Sequence, residues 1–89
     1  MNIQSLKSLA SEKWPKILTA ITRIDPGLLD GKHHPCPKCG GTDRFRVFDD
    51  FADTGGMICN QCHREKNGDG ISTVQWLNEC SLPEAVRLI

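Results

Sequence analysis

The 89-residue sequence carries no excess charge, no long apolar run and no repeated segment, and each absence removes a class of function. Eleven Lys and Arg balance eleven Asp and Glu, so the molecule as a whole has no field that would gather a polyanion. Any contact with nucleic acid must be local. No stretch is apolar for long enough to cross a bilayer, so no membrane partner is expected. The amino terminus, Met1-Asn2-Ile3-Gln4-Ser5, has neither an apolar run nor a small-residue cleavage pattern. No secretory signal is therefore read there, and the cysteines are expected in a reducing, cytoplasmic setting. A glycine-rich phosphate loop ending in lysine is also missing. Asp49, Asp50 and Asp53 are the one acidic group close in sequence, and with Gly55 and Gly56 beside them they suit a turn better than a Mg²⁺ site. Catalysis by this chain alone is not expected.

What is present is five cysteines, four of them in two identical pairs. Cys36-Pro37-Lys38-Cys39 and Cys59-Asn60-Gln61-Cys62 are separated by nineteen residues, a spacing that suits one structural zinc site built from two tight knuckles. Four thiolates fit a tetrahedral Zn²⁺ and leave no position for water or substrate, so the ion holds structure. A disulfide framework would need an oxidising compartment, and a thioredoxin-like pair would need a βαβ unit that the pattern lacks. A single iron in the same four-sulfur cage is the remaining rival. With one zinc per chain held by Cys36, Cys39, Cys59 and Cys62, His33, His34 and His63 are not needed as ligands. A chain this short buries only about 60 to 65% of its unfolded surface, so metal binding is expected to supply much of the stability.

The rest of the chain reads as a small α+β fold: a zinc ribbon, that is an antiparallel hairpin with two Cys-x-x-Cys knuckles, flanked by short helices on both sides. We take 1–89 as one domain, with a helical segment over 1–31, the ribbon over 32–67 and a second helical segment over 68–89. Ile3, Leu6, Leu9 and Ala10 recur at helical spacing and predict a helix over about residues 3 to 13. Pro15 opens a second helix that turns Ile17, Leu18 and Ile21 inward, ended by Asp25-Pro26-Gly27. Phe45 and Val47 alternate with Arg44, Arg46 and Phe48, which predicts a strand, with Met57-Ile58-Cys59 as its partner across a polar turn. Gly40-Gly41 supplies the left-handed backbone that follows a knuckle. Ile71, Val74, Trp76 and Leu77 mark a helix capped by Asp69 or Ser72, and Ser81-Leu82-Pro83-Glu84 fits a capping box opening a last helix from Pro83 to Ile89. That helix meets the chain end without a C-cap glycine, as a helix cut from a longer protein would, though natural proteins also end in helices. Trp14 and Trp76 read as packing residues, and Cys80 as a small buried apolar residue on a helix.

The run from His34 through Cys36-Pro37-Lys38-Cys39-Gly40-Gly41-Thr42-Asp43-Arg44-Phe45-Arg46, then Met57 to Cys62, then Gly68-Asp69-Gly70-Ile71, resembles the amino-terminal zinc-binding domain of phage-type and plasmid-type primase-helicases. The flanks resemble it too, in Trp14-Pro15-Lys16-Ile17-Leu18 and in Pro83-Glu84-Ala85-Val86. Two features depart from the family pattern. His63-Arg64-Glu65-Lys66-Asn67 intervenes between the fourth cysteine and Gly68-Asp69-Gly70, and the strand ending at Phe48-Asp49 is one residue longer than usual.

The resemblance implies a module that contacts single-stranded DNA template for primer initiation, beside a primase catalytic domain and a helicase in cis or in trans, in the cytoplasm of a bacterial host. The candidate contact residues are Lys38 on the first knuckle, Asp43, Arg44 and Arg46 on the strand, and His63 and Arg64 after the second knuckle. Arginine forks suit phosphates and guanine edges, and a carboxylate such as Asp43 accepts from a cytosine amino group. Phe48 or Phe51 would serve as a stacking platform. The bland alternative is that Arg44 and Arg46 are the solvated face of a strand. The alternative function is a protein-docking adaptor for a replication enzyme, stapled by zinc and without direct DNA readout.

Overall fold

A computed structural model describes residues 3–89; Met1 and Asn2, part of the segment read above for a secretory signal, lie outside them. The described residues form a three-strand antiparallel sheet of order β1-β2-β3 with five helices around it. In chain order these are α1 (Ile3–Ala10), α2 (Trp14–Thr22), β1 (His34–Cys36), β2 (Gly40–Val47), α3 (Phe51–Thr54), β3 (Met57–Cys59), α4 (Gly70–Asn78) and α5 (Leu82–Leu88), with one 3-10 turn at Pro26–Leu28. No described helix is long and apolar enough to cross a membrane.

The first helix stops earlier than the apolar spacing suggests. Glu12 takes a left-handed backbone (φ 67°), the Lys13 amide folds back onto the Ala10 carbonyl at 2.8 Å, and Ser11 donates to Asp53. Trp14 and Pro15 then open α2, where proline's missing N–H is harmless. Leu18 is buried, and Ile17 and Ile21 pack on the core from its edge. Arg23, in the left-handed conformation, ends the helix before Asp25 caps the 3-10 turn by accepting from the Gly27 amide at 2.9 Å.

The ribbon has one more strand than the sequence suggests. β1 pairs with β2 (His34↔Phe45, Cys36↔Gly40), so the first knuckle is itself the turn between them. Gly40 (φ 77°) and Gly41 (φ 87°) take the left-handed backbone that this turn requires. β2 pairs with β3 in the expected hairpin, with Phe45 opposite Cys59 and Val47 opposite Met57. These four residues are buried on the face turned to the helices, while Arg44 and Arg46 are half-buried on the other. The polar turn between β2 and β3 is corrected by the structure: it contains the short helix α3, whose Phe51 is only 5% exposed. Phe51 is thus core, and is unavailable for stacking on a base.

Asp69 is the N-cap of α4, accepting from the Ser72 amide at 2.8 Å and pairing with Lys7 of α1 at 3.1 Å. Burial raises the Asp69 pKa, but the Ser72 amide and Lys7 outweigh it and hold the carboxyl below its ordinary value. Thr73, fully buried, donates to the Gly55 carbonyl at 2.9 Å and so ties α4 to the turn after α3. Ser81 caps α5 by accepting from the Glu84 amide at 3.3 Å. Cys80 lies between α4 and α5 instead of on a helix, half-buried, its thiol toward the Val74 carbonyl at 3.9 Å.

Candidate metal centre

Each knuckle is pre-shaped by its own backbone. The amides of Lys38 and Cys39 turn toward the Cys36 sulfur at 3.3 and 3.4 Å. Those of Gln61 and Cys62 turn toward the Cys59 sulfur at 3.4 and 3.5 Å. The sheet brings the two knuckles together, with the Asn60 amide donating to the Arg44 carbonyl at 3.0 Å. As a result the four sulfurs of Cys36, Cys39, Cys59 and Cys62 lie within 4.8 Å of one another. Cys36 is 3.7 Å from Cys62 and Cys39 is 3.5 Å from Cys59. A tetrahedron with Zn–S bonds of about 2.3 Å has edges of roughly 3.8 Å, so the cluster has the size of a four-thiolate site. Cys80 is outside it, and no histidine joins it among the described residues.

The thiols crowd one another in a way that a dication relieves. Burial pushes Cys36 up, against the pull of the knuckle amides. Burial, with the neighbouring Cys39 and Cys36 thiols, pushes Cys62 up to about 12, and the Trp76 side chain opposes that rise. Burial also raises Cys59, but the amides of Cys62 and Gln61 and the adjacent thiols bring it down to about 7. One sulfur therefore ionises readily while at least two resist. A bound Zn²⁺ supplies the positive charge that keeps all four ionised, and does no other chemistry in a closed shell. Zinc affinity should fall steeply with acid. Cys36 and Cys62 each shed a proton on binding, so the logarithm of the apparent affinity should drop by at least about two per pH unit between roughly pH 8 and 6. Chelator competition across that range measures it, and a flat profile would exclude ligation by these thiols.

The candidate contact residues divide into two groups. Arg46 and Arg44 share the outward face of β2, and Asp43 is exposed just before them. The Arg46 guanidinium lies over the Phe48 ring at 5.6 Å, a cation–π contact. Arg64 is exposed beyond the second knuckle. Three of the six candidates are engaged by partners within the protein. Arg44 reaches the Cys39 sulfur with Nη1 at 3.7 Å, and that contact raises its pKa. Lys38 Nζ donates to the Trp76 carbonyl at 2.6 Å and pairs with Glu79 at 3.5 Å, closing the last turn of α4. His63 is the clear correction. It is only 8% exposed and lies flat on Trp76, centroids 4.3 Å apart and planes within 2°, so its ring cannot meet a nucleic acid. Burial also lowers its pKa, which favours the neutral ring.

The five residues that depart from the family pattern place this histidine. Cys59 bridges to His63, Asn67 donates to the His63 carbonyl at 3.1 Å, and the Met57 amide donates to the Asn67 carbonyl at 3.2 Å. The loop folds back along β3 and tucks His63 under α4. Sequence reasoning missed the Trp76–His63 stack because nothing local pairs two residues thirteen positions apart.

Residues 31–71 match the family model described as the zinc-binding domain of primase-helicase. No solved structure matches the chain at a significant level. The matched segment holds all four cysteines and the whole sheet, whereas α1, α2, α5 and most of α4 lie outside it. Donor set and sulfur spacing suit one zinc ion, in agreement with the zinc-binding family model that the segment matches.

Proposed function

From a zinc-binding domain of the primase-helicase type, we propose a non-catalytic module that contacts single-stranded template for primer initiation, working with a primase catalytic domain and helicase carried in cis or in trans. The observation that carries this reading is the outward face of β2, where Arg44 and Arg46 stand together within the matched segment. Arg46 spread over Phe48 offers a fork for phosphate and a flat surface for a base in one place. Arg64, exposed past the second knuckle, is a further candidate contact. The zinc site sets the direction of this face, because both knuckles and β2 are parts of one turn-and-strand unit.

Binding should be weak and only mildly salt-dependent. With two or three phosphate contacts, the slope of log K against log salt for a single-stranded oligonucleotide is about −1.4 to −2.1. Arg46→Ala combined with Arg64→Ala leaves the sulfur contact of Arg44 intact, and should flatten that slope by about 1.4 while zinc content stays at one per chain. Unchanged binding in this variant would favour the adaptor reading instead. That reading has its own support in Leu9, 58% exposed, which with Ile17, Val86 and Ile89 lines an apolar groove of about 260 Å³.

A further inference from the structure

The sulfurs of the metal centre do not all receive their hydrogen bonds from the same kind of group. Cys36 and Cys59 each accept from two amides of their own knuckle, at 3.3 to 3.5 Å. Cys39, an exposed residue, accepts instead from a side chain, Nη1 of Arg44 at 3.7 Å. The stem of Arg44 is laid down for this contact across the bare backbone of Gly41, where a Cβ would stand 2.5 Å from Nε and 2.6 Å from Cδ. A side chain at Gly41 would lift the guanidinium off the sulfur. Meanwhile the Arg44 carbonyl accepts from the Asn60 amide of the second knuckle at 3.0 Å. One residue thus holds the first knuckle by its side chain and the second by its backbone.

We infer that Arg44 is a positioning residue of the metal centre, its guanidinium donating to the Cys39 sulfur and supplying from β2 the donor that the knuckle's own backbone gives to Cys36. Four thiolates around one dication leave a net negative charge. A guanidinium stays protonated at any pH the fold survives, so this donor is always charged and the hydrogen bond is of the stronger, charge-assisted kind. It orients the Cys39 thiolate toward the metal and makes its lone pairs less available to an electrophile. Loss of a donor to a metal-bound ligand commonly lowers metal affinity by about 10–100-fold. Arg46, on the same face of β2, lies over the Phe48 ring at 5.6 Å and not on a sulfur. Two arginines of the same charge on the same strand therefore differ in what they do for the metal. The inference rests on ligation by Cys39 and on no contact with DNA.

The test is limited alkylation of the zinc-loaded full chain by iodoacetamide in excess zinc, with the rate at each cysteine read by mass spectrometry. Arg44→Met keeps an unbranched stem over Gly41 and removes the donor. Cys39 should then react at least about threefold faster, having lost a hydrogen bond to a charged group, while Cys36 and Cys59 keep their amides and their rates. Zinc affinity, read by chelator competition, should fall about tenfold or more. Arg46→Met removes the same charge from the same face and should change neither the Cys39 rate nor the zinc affinity. An unchanged Cys39 rate in Arg44→Met overturns the inference, and so does an equal rise at all four ligands, which is what a merely loosened fold would give. An equal effect of Arg46→Met overturns it too, because the charge of the face and not the contact would then be responsible. Should Arg44→Met fail to fold, the unaltered chain still decides. Cys62 is exposed like Cys39 but accepts from no amide or guanidinium among the described residues, so it should be alkylated before Cys39, and the reverse order overturns the inference. Retention of all zinc by Cys39→Ser would overturn it through the ligand assignment, a failure distinguishable from the others.

Discussion

Replacing Cys39 by serine should abolish stoichiometric zinc binding and, with it, the three-strand sheet. Two of the three strands have only three residues each, and both end in a ligand, Cys36 closing β1 and Cys59 closing β3. Short strands of this kind are marginal unless something clamps their ends. A structural zinc supplies about 10–16 kcal/mol of apparent binding free energy near neutral pH. A domain of this length has a total stability of about 5–13 kcal/mol. The metal term is as large as the whole, so its loss cannot be absorbed by the helical packing of Trp14, Leu18 and Val74. The expected readout is a loss of β-sheet amide dispersion and of zinc by metal analysis, with part of the helical circular dichroism retained. Chelation of the unaltered chain should reproduce it. Cys80→Ser, whose thiol is outside the cluster, should keep one zinc per chain and the full sheet. Zinc loss in that variant, or a native sheet in Cys39→Ser, would contradict the ligand set.

The parts of this fold that the sequence announced are those whose signals are local. The paired cysteines placed the metal centre. Phe45 and Val47 alternate over four residues and placed β2, Met57 to Cys59 placed β3, and Asp69 and Ser81 marked the starts of the last two helices. β1 escaped because three residues that include Pro35 show no alternation to read. α3 escaped because a one-turn helix among aspartates and glycines looks like a turn, and only tertiary packing reveals that Phe51 is buried. The same limit explains the site residues. Lys38, Arg44 and His63 each have the composition of a contact surface, yet each turns toward a partner more than four positions away in the chain. A charged or aromatic residue declares its chemistry in the sequence but not its direction. For Lys38 and His63 the direction comes from α4 closing over the ribbon, through Trp76; for Arg44 it comes from the Cys39 sulfur.

Gly70→Ala should be strongly destabilising, even though alanine is the better helix former by about 1 kcal/mol. Propensity and packing here have opposite signs, and the distances decide between them. A Cβ at Gly70 would lie 2.1 Å from Trp14 Cζ3, 2.2 Å from Cε3 and 2.5 Å from Cη2. The indole cannot retreat, because Trp14 is 1% exposed and packed on every side. Its other boundary is also glycine: Gly55 has φ 77°, and a Cβ there would stand 2.5 Å from the Gly70 Cα and 2.7 Å from the Trp14 ring. Two bare backbones thus form the slot that admits the largest side chain of the core, which is the physical reason for glycine at the last position of Gly68-Asp69-Gly70. Overpacking costs typically 1–3 kcal/mol, and contacts this short place the change at or above the upper end. Set against the propensity gain, a net loss of about 2 kcal/mol or more is expected, or a fall in Tm of roughly 8–16 °C for a domain of this size. Gly68→Ala is the matched control, since its Cβ meets nothing within 4 Å; it should be neutral or slightly stabilising. Trp14→Phe removes the part of the ring nearest Gly70, so in that background the cost of Gly70→Ala should shrink, giving a coupling of about 1 kcal/mol or more in a double-mutant cycle. Denaturant unfolding of the zinc-loaded proteins measures all four, and equal costs of Gly70→Ala with and without the indole would show that the slot is not what the glycine serves.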